Sequence, residues 1–444
     1  MIACMYIQAM DSLSLEQQKV LDTLAEGNNV CMTGCGGTGK SYVLKQLETR
    51  LGPVLEAKLG RKPIIHITAL TGCAALLIGP EASTLHSWSG IGLGREDVSD
   101  LIWKIQRNGR AKRNWKVCDL LVVDEISMLT VELLEKLDDI GKRMRRCFDK
   151  PFGGIQLLLV GDFCQLPPVK QLTFAFESER WSTIVPTVIE LSTILRQKDP
   201  VFQKVLTEAR AGCLSPESIA LLKGRMGLDW KSHRIRPTLL FPRNAEVNMI
   251  NDANLKALKG PLKTFDAGIS YADLKVAAKT NIKTEDFKRS VAALDRDAMY
   301  RDKLLLAQEA QVMLITNLDV GSGLVNGSRG VVVGFDAKDG SPLVEFLAGN
   351  RLPIGLHKWE IDGYPGVFRT QYPLRLAWAC TIHKAQGATL DSALIDIGPN
   401  TFEYGQAYVA LSRVRSLEGL YIHDFTPGAF SLHPKVAGFY GLIT

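Results

Sequence analysis

The chain has 444 residues, too many for a single hydrophobic core, and that length suggests about three domains. Its 46% hydrophobic and 23% charged residues describe a globular protein, not a disordered or fibrous one. The net charge of +6 suits a polyanionic partner, and the 9 cysteines contain no CxxC pair that would signal a zinc knuckle or redox dithiol. An odd cysteine count without a disulfide framework fits a reducing compartment. No apolar run approaches the ~18 residues of a membrane span. The first ten residues carry no Lys or Arg, so neither a secretory leader nor an arginine-rich presequence is expected there.

Taken in order, Ser14-Leu15-Glu16-Gln17 opens a helix expected to reach about Ala25. Short apolar runs at 30–33, 64–69, 120–123 and 157–160 alternate with helical stretches, which predicts a parallel α/β sheet. The pattern restarts with strands at 238–241, 374–379, 393–397 and 420–423 and helices at 200–211 and 404–414. Between them, 260–300 is polar and weakly patterned. Runs at 312–315, 330–335 and 343–347, split by Gly, Asn and Asp, suggest a small antiparallel β-module inserted in the second unit. Residues 83–115, rich in Gly, His, Trp and basic side chains, form a second candidate insertion.

The most specific chemistry lies in GCGGTGKS at 34–41. A strand feeds it and a helix follows, which is the context a phosphate-binding loop needs. Glycines let backbone N–H groups wrap a phosphate chain, and the helix start adds partial positive charge. Gly34, Gly36, Gly37, Thr38 and Gly39 would form the cradle, Lys40 would reach the β- and γ-phosphates, and the Ser41 hydroxyl would ligate Mg²⁺. Asp124 and Glu125 end an apolar strand; Asp124 would hold Mg²⁺ and Glu125 would orient and deprotonate water. The run at 157–160 leads into Gly161-Asp-Phe-Cys-Gln165-Leu-Pro-Pro168, where Gln165 is the natural phosphate or water contact and the proline pair stiffens the loop. Gln17 has two readings, a capping box with Ser14 or an amide that reads an adenine edge, and local chemistry favours the cap. Arg196 and Arg413 are candidates to stabilise phosphoryl charge. His383, Lys384, Gln386 and Gly387 form a polar loop after a buried run, suited to nucleotide or nucleic acid. The basic tract 103–116, WKIQRNGRAKRNWK, reads equally as a nucleic-acid contact or as a helix face packing its tryptophans inward.

These pieces stand in one order. LSLEQQKVL at 13–21, TGCGGTGKS at 33–41, TALTGCAA at 68–75, STLHSWSGIGLG at 83–94, VVDEISM at 122–128 and PFGGIQLLLVGDFCQLPPV at 151–169 come first. ILRQKDPVF at 194–202, GLVNGSRGVV at 323–332, LAWACTIHKAQGATLD at 376–391 and AYVALSRVRSLEGL at 407–420 follow. In that order the chain resembles the Pif family of DNA helicases, the 5′→3′ branch of superfamily one, over almost its whole length. The PFGGIQ segment separates this resemblance from the related RecD-like helicases.

The resemblance implies ATP-dependent 5′→3′ unwinding, two RecA-like domains (1–82 with 114–189, and 190–257 with 370–444), a wedge at 83–113 and an SH3-like module at 258–369. It implies that Gln17 reads adenine, that Gln165 senses phosphate, and that Arg196 and Arg413 approach the γ-phosphate from the second domain. Gln386 and Gly387 join the ATP site. Gly36 stands where Ala is common. Thr71, His86, Trp88, Pro167, His383 and Lys384 fall in DNA-path motifs. Mg²⁺ and ATP are the implied cofactor and substrate. Single-stranded DNA and duplex junctions are the implied partners, with G-quadruplexes and RNA–DNA hybrids as further candidates and no membrane. Monomer and DNA-induced dimer both stay open. The setting would be the nucleus or mitochondrion of a eukaryote, or the cytoplasm of a bacterial or viral host. A RecD-like subunit and a DNA-binding scaffold without a motor are the alternative readings.

Overall fold

A computed structural model describes residues 13–441 except 80–81, 93, 168–172, 299, 320–321, 323, 348 and 362. Pro168, the second half of the proline pair, therefore lies outside the described residues. Two compact units emerge. One draws on Met1–Thr71, Glu81–Arg196 and His433–Thr444, the other on Gly72–Pro80 and Gln197–Leu432.

The first unit is built on six strands: β1 (Val30–Gly34), β2 (Ile65–Ala69), β3 (Ser83–Thr84), β4 (Leu120–Asp124), β5 (Gln156–Val160) and β6 (Thr187–Leu191). Their order is β3-β2-β4-β5-β1-β6 and every pairing is parallel. β1 is buried at every residue, as its near-continuous apolar sequence requires of a strand covered on both faces. Strand order reverses around β1, because β5 and β6 flank the earliest strand. In open α/β sheets that switch point opens a crevice at the carboxyl ends of the strands.

β6 was not anticipated. It is a half-exposed edge strand after Pro186, and its five residues carry too little apolar signal alone. Its pairing with β1 carries the first unit past residue 189 to Arg196. The segment from 83 is also continuous with this unit: β3 forms the sheet edge, and helices Leu85–Ser89, Val98–Arg107 and Gly109–Val117 follow. Gly90 closes the first of these helices with φ 74, and a Cβ there would sit 2.5 Å from the Ala111 Cβ. The basic tract splits its two tryptophans. Trp115 is fully buried and donates from Nε1 to the Ser89 carbonyl at 2.9 Å, whereas Trp103 is 55% exposed with the Arg107 guanidinium 3.4 Å above its ring.

The second unit has its own parallel sheet, in the order Ala379–Thr381, Thr238–Phe241, Ala393–Ile397, Leu420–Phe425. The expected strand at 374–379 divides. Leu374–Leu376 pairs antiparallel with Gln311–Leu314 in the β-module, and only Ala379–Thr381 enters the parallel sheet. The module's five-stranded sheet is antiparallel throughout, and a three-stranded sheet and a strand pair accompany it. Its core of Leu306, Val312, Leu314, Val332 and Phe346 is continuous with Leu255 and Trp378. The weakly patterned 260–300 region contributes strands Lys263–Asp266 and Gly268–Tyr271 and helices Leu274–Lys279 and Glu285–Asp297.

Helix Val131–Arg145 leads into the PFGG turn, where Phe152 and Gly153 hold φ of 50 and 63. Asp138 is fully buried and explains the turn's position: its carboxylate accepts from the Phe152 N–H at 2.8 Å and from Lys142 at 2.6 Å. A Cβ on Gly141 would stand 2.7 Å from the Phe152 carbonyl oxygen. Gly141→Ala is therefore expected to destabilise the first unit by about 1–3 kcal/mol through overpacking against backbone. A urea midpoint equal to that of the parent would show that the turn moves aside freely.

Candidate active site

The loop after β1 bends where its glycines permit. Gly34, Gly37 and Gly39 have φ of 142, 96 and 86, a region in which side chains strain the backbone. Gly34 also has no room for a Cβ, which would lie 2.4 Å from the Leu191 carbonyl oxygen of β6. Helix Lys40–Gln46 begins directly after Gly39, so its first N–H groups face the loop. Lys40 folds back over the loop, donating from Nζ to the Gly34 and Cys35 carbonyls at 2.7 and 3.0 Å. Burial pushes its ammonium pKa down, and the charges of Asp162, Cys35, Glu125 and Asp124 oppose that shift.

Asp124 ends β4 inside the sheet's carboxyl edge. Burial, and then the neighbouring Glu125 charge, push its carboxyl well above the usual carboxylate range. Glu125 occupies the left-handed region at φ 59, a position that costs about 1–3 kcal/mol for a non-glycine residue. Its N–H donates to Asp124 Oδ1 at 2.8 Å, which offsets part of that cost. Gln165 is buried in the turn after β5, its N–H donating to the Asp162 carbonyl at 3.0 Å. The β4 and β5 residues are thus gathered with the loop at one sheet edge. No cluster of three metal-ligating side chains occurs among the described residues. One carboxylate and a serine hydroxyl are nonetheless the hard oxygen donors with which proteins hold a Mg²⁺ whose remaining ligands are phosphate and water.

Gln17 satisfies the capping box in full: its N–H donates to Ser14 Oγ at 3.2 Å and its Oε1 accepts from the Ser14 N–H at 3.0 Å. The same side chain, 2% exposed, donates from Nε2 to the Thr38 carbonyl at 3.3 Å. The cap thereby ties the first helix to the phosphate-type loop.

Two expectations need correction. Arg196 belongs to the first unit: the backbone leaving β6 returns to the loop, and the N–H groups of Leu195 and Arg196 donate to the Gly37 carbonyl at 2.8 and 3.1 Å. Trp88 is 3% exposed and packs on Trp115 with ring centroids 4.9 Å apart, so its ring is core and unavailable to stack on a base. Thr71 and His86, by contrast, follow β2 and β3 at the same carboxyl edge and are half-buried. Pro167 is buried beside Gln165.

In the second unit, Thr381 caps the short helix Ile382–Ala385, and half-buried His383 pairs with Glu403 at 3.3 Å. Lys384 and Gly387 are exposed and Gln386 is buried; Gly387 turns at φ 79. Arg413 caps the buried helix Gln406–Ser412 and is 3% exposed. Its guanidinium donates to the Val409 carbonyl at 3.0 Å and to Ser412 Oγ at 2.6 Å. The Leu390 N–H donates to the Arg413 carbonyl at 2.8 Å, which places the 386–390 loop beside this arginine.

Comparison with known proteins agrees with this arrangement. The PIF1-like helicase family model matches residues 12–211, and the model of the DNA helicase Pif1 2B domain matches 292–335. The crystal structure of Pif1 helicase from Candida albicans is 36% identical, covers 98% of this chain and 100% of that one, and superposes with a TM-score of 0.77. The chain belongs to the PIF1-like helicase family. Among PIF1-like relatives, the human ATP-dependent DNA helicase PIF1 is 39% identical over 97% of this chain and 64% of its own length. The ATP-dependent DNA helicase RRM3 of Saccharomyces cerevisiae is 32% identical over 96% of this chain and 67% of its own. The Bacteroides sp. Pif1 complex with ADP-AlF4 is 27% identical, covers 97% of both chains and has a TM-score of 0.74. The chain spans less than two thirds of the human relative. The two parallel sheets are those of the RecA-like PIF1 fold expected from the sequence motifs.

Two residues at this sheet edge gave little sequence signal. Asp162 lies in the GDFCQ segment, where Gln165 carries the stronger signal. Tyr440, whose hydroxyl donates to Asp162 Oδ1 at 3.1 Å, belongs to no motif. Gln17→Ala is expected to cost about 1–2 kcal/mol, because it removes the side-chain half of the capping box and the donor to the Thr38 carbonyl. Hydrogen exchange should quicken at residues 33–41 together with the first helix; quickening of the helix alone would disprove the link.

Proposed function

We propose that this chain is an ATP-dependent DNA helicase that moves 5′→3′ on single-stranded DNA and opens duplex junctions. The observation that carries the reading is the convergence of Lys40, Asp124, Glu125 and Asp162 on a phosphate-type loop at the switch point of a parallel sheet. A DNA-binding scaffold has no need of a loop lysine held in the field of three carboxylates. Membership of the PIF1-like family supports the substrate and the direction of movement.

In this reading Lys40 leaves its loop carbonyls for the β- and γ-phosphates of ATP. Ser41 and Asp124 hold Mg²⁺, which neutralises phosphate charge when bound. Glu125 takes a proton from the attacking water, and Gln165 hydrogen-bonds the γ-phosphate. The backbone of the glycine loop, Gly34 to Gly39, wraps the phosphates, and the Gln17 amide lies at the loop's outer edge for adenine. Arg196 and Arg413 supply positive charge to the transferring phosphoryl group. Arg413 must first give up its bonds to Val409 and Ser412, which would make its charge conditional on a rearrangement of its own helix end. Gln386 and Gly387 lie beside it.

Thr71, His86, Pro167, His383 and Lys384 line the path of the single strand. The segment 83–94 parts the duplex, as its resemblance to the family wedge implies. Residues 258–369 act as the accessory β-module. Structured DNA, including G-quadruplexes and RNA–DNA hybrids, falls within the substrate range, and the chain acts as a monomer or as a dimer assembled on DNA. Its setting is wherever genomic DNA is exposed as single strands, the nucleus or mitochondrion in a eukaryotic cell. No helix among the described residues is long and apolar enough to cross a membrane.

A duplex with a 5′ single-stranded tail should be unwound in the presence of ATP and Mg²⁺, and one with only a 3′ tail should not. The opposite polarity would sink the directional reading. Lys40→Ala should lower DNA-stimulated ATP turnover by at least about 100-fold, the loss seen when one preorganised transition-state donor is removed. Turnover retained in a folded Lys40→Ala protein would refute the site. Affinity for single-stranded DNA should fall with salt at a log–log slope of about −0.7 per phosphate contacted.

A further inference from the structure

The helix Pro434–Gly441 packs in the first unit and lies outside every recognised motif. Its Tyr440 hydroxyl meets three groups. It donates to Asp162 Oδ1 at 3.1 Å, accepts from the Phe163 N–H at 3.2 Å, and lies 2.5 Å from Thr33 Oγ1. A phenol has one proton and two acceptor sites. With its proton on the carboxylate, both lone pairs receive, so Thr33 is the donor and the hydroxyl is saturated. Thr33 and Asp162 are both fully buried. Thr33 immediately precedes the glycine loop, and Asp162 opens the turn that ends at Gln165, so one oxygen atom joins the β1 exit to the β5 exit. Asp162 is in turn the leading carboxylate acting on the Lys40 ammonium. The ring is held independently: its neighbour Phe439 stacks on Phe176 at 4.5 Å, and Lys435 pairs with Glu177.

We propose that Tyr440 is a positioning residue of the ATP site, fixing the Asp162 carboxylate and the Gln165 turn against the glycine loop. The inference rests on the function proposed above. A buried carboxylate deprived of a donor rotates toward other partners, and a shift of about 1 Å in a catalytic group costs up to about 100-fold in rate.

The test compares Tyr440→Phe with Lys435→Ala in the full chain. The first keeps the ring and removes the hydroxyl; the second weakens helix docking and keeps the hydroxyl. Tyr440→Phe should lower the kcat of DNA-stimulated ATP turnover by about 10–100-fold while KM for ATP changes less than about 3-fold. Lys435→Ala should leave both constants within about 2-fold, as expected for an exposed ion pair. Hydrogen exchange, which needs no activity, should quicken at 161–165 and 33–37 in Tyr440→Phe alone. Thr33→Val, which removes a single arm of the network, should quicken the same segments to a smaller degree. Unchanged exchange in Tyr440→Phe, or equal changes in Lys435→Ala, would overturn the assignment. If the parent itself lacks ATP turnover, the function proposed above fails and the exchange comparison still decides the role of Tyr440.

Discussion

A partly buried ammonium organises the first unit. Lys40 stands at the start of a helix whose own end is already positive, and an unpaired charge there would be costly. Two carbonyls and the fields of Asp162, Glu125 and Asp124 keep it in place. Those groups come from the ends of three strands, β1, β4 and β5, which the sheet order sets side by side at their carboxyl ends. The arrangement is reciprocal, since the ammonium also counters the burial and the Glu125 charge that together lift the Asp124 carboxyl out of its usual range. Charges bound together in this way are poised to exchange partners when a more negative ligand arrives.

The backbone around that charge is specified where it could least vary. Gly34 faces the Leu191 carbonyl with no space for a side chain, and Gly37 accepts two N–H groups from the chain leaving β6. The edge strand and the loop therefore define each other. That mutual dependence is why the first unit cannot end before β6, and why the backbone of Arg196 is fixed beside the loop.

Legibility in the sequence followed the kind of signal each residue carries. The glycine loop, the Asp124–Glu125 pair and the central strands were readable because phosphate binding and full burial demand contiguous, unusual patterns. Gln17 meets its capping reading, and its amide nitrogen also bonds the Thr38 carbonyl, a contact that no local pattern announces. Trp88 was placed on the DNA path by the resemblance of its motif, and only the fold shows its ring packed on Trp115 in the core. The split at Ala377-Trp378 was invisible because one apolar run serves two sheets in succession. Tyr440 left no trace, because a lone hydroxyl on an amphipathic helix is unremarkable until its three partners are known.

The distance of Tyr440 from Thr33 along the chain, 407 positions, has a consequence for biogenesis. At a synthesis rate of about 5–20 residues per second, roughly 20–80 s separate the two residues on the ribosome. The sheet of the first unit can assemble during that interval, but the turn carrying Gln165 has no phenol to anchor it. The aromatic seat formed by Phe163, Phe176 and Trp181 is meanwhile without Phe439. A nascent chain thus carries the glycine loop long before the hydroxyl that joins it to the Gln165 turn, and a helix distant along the chain completes the unit that holds both.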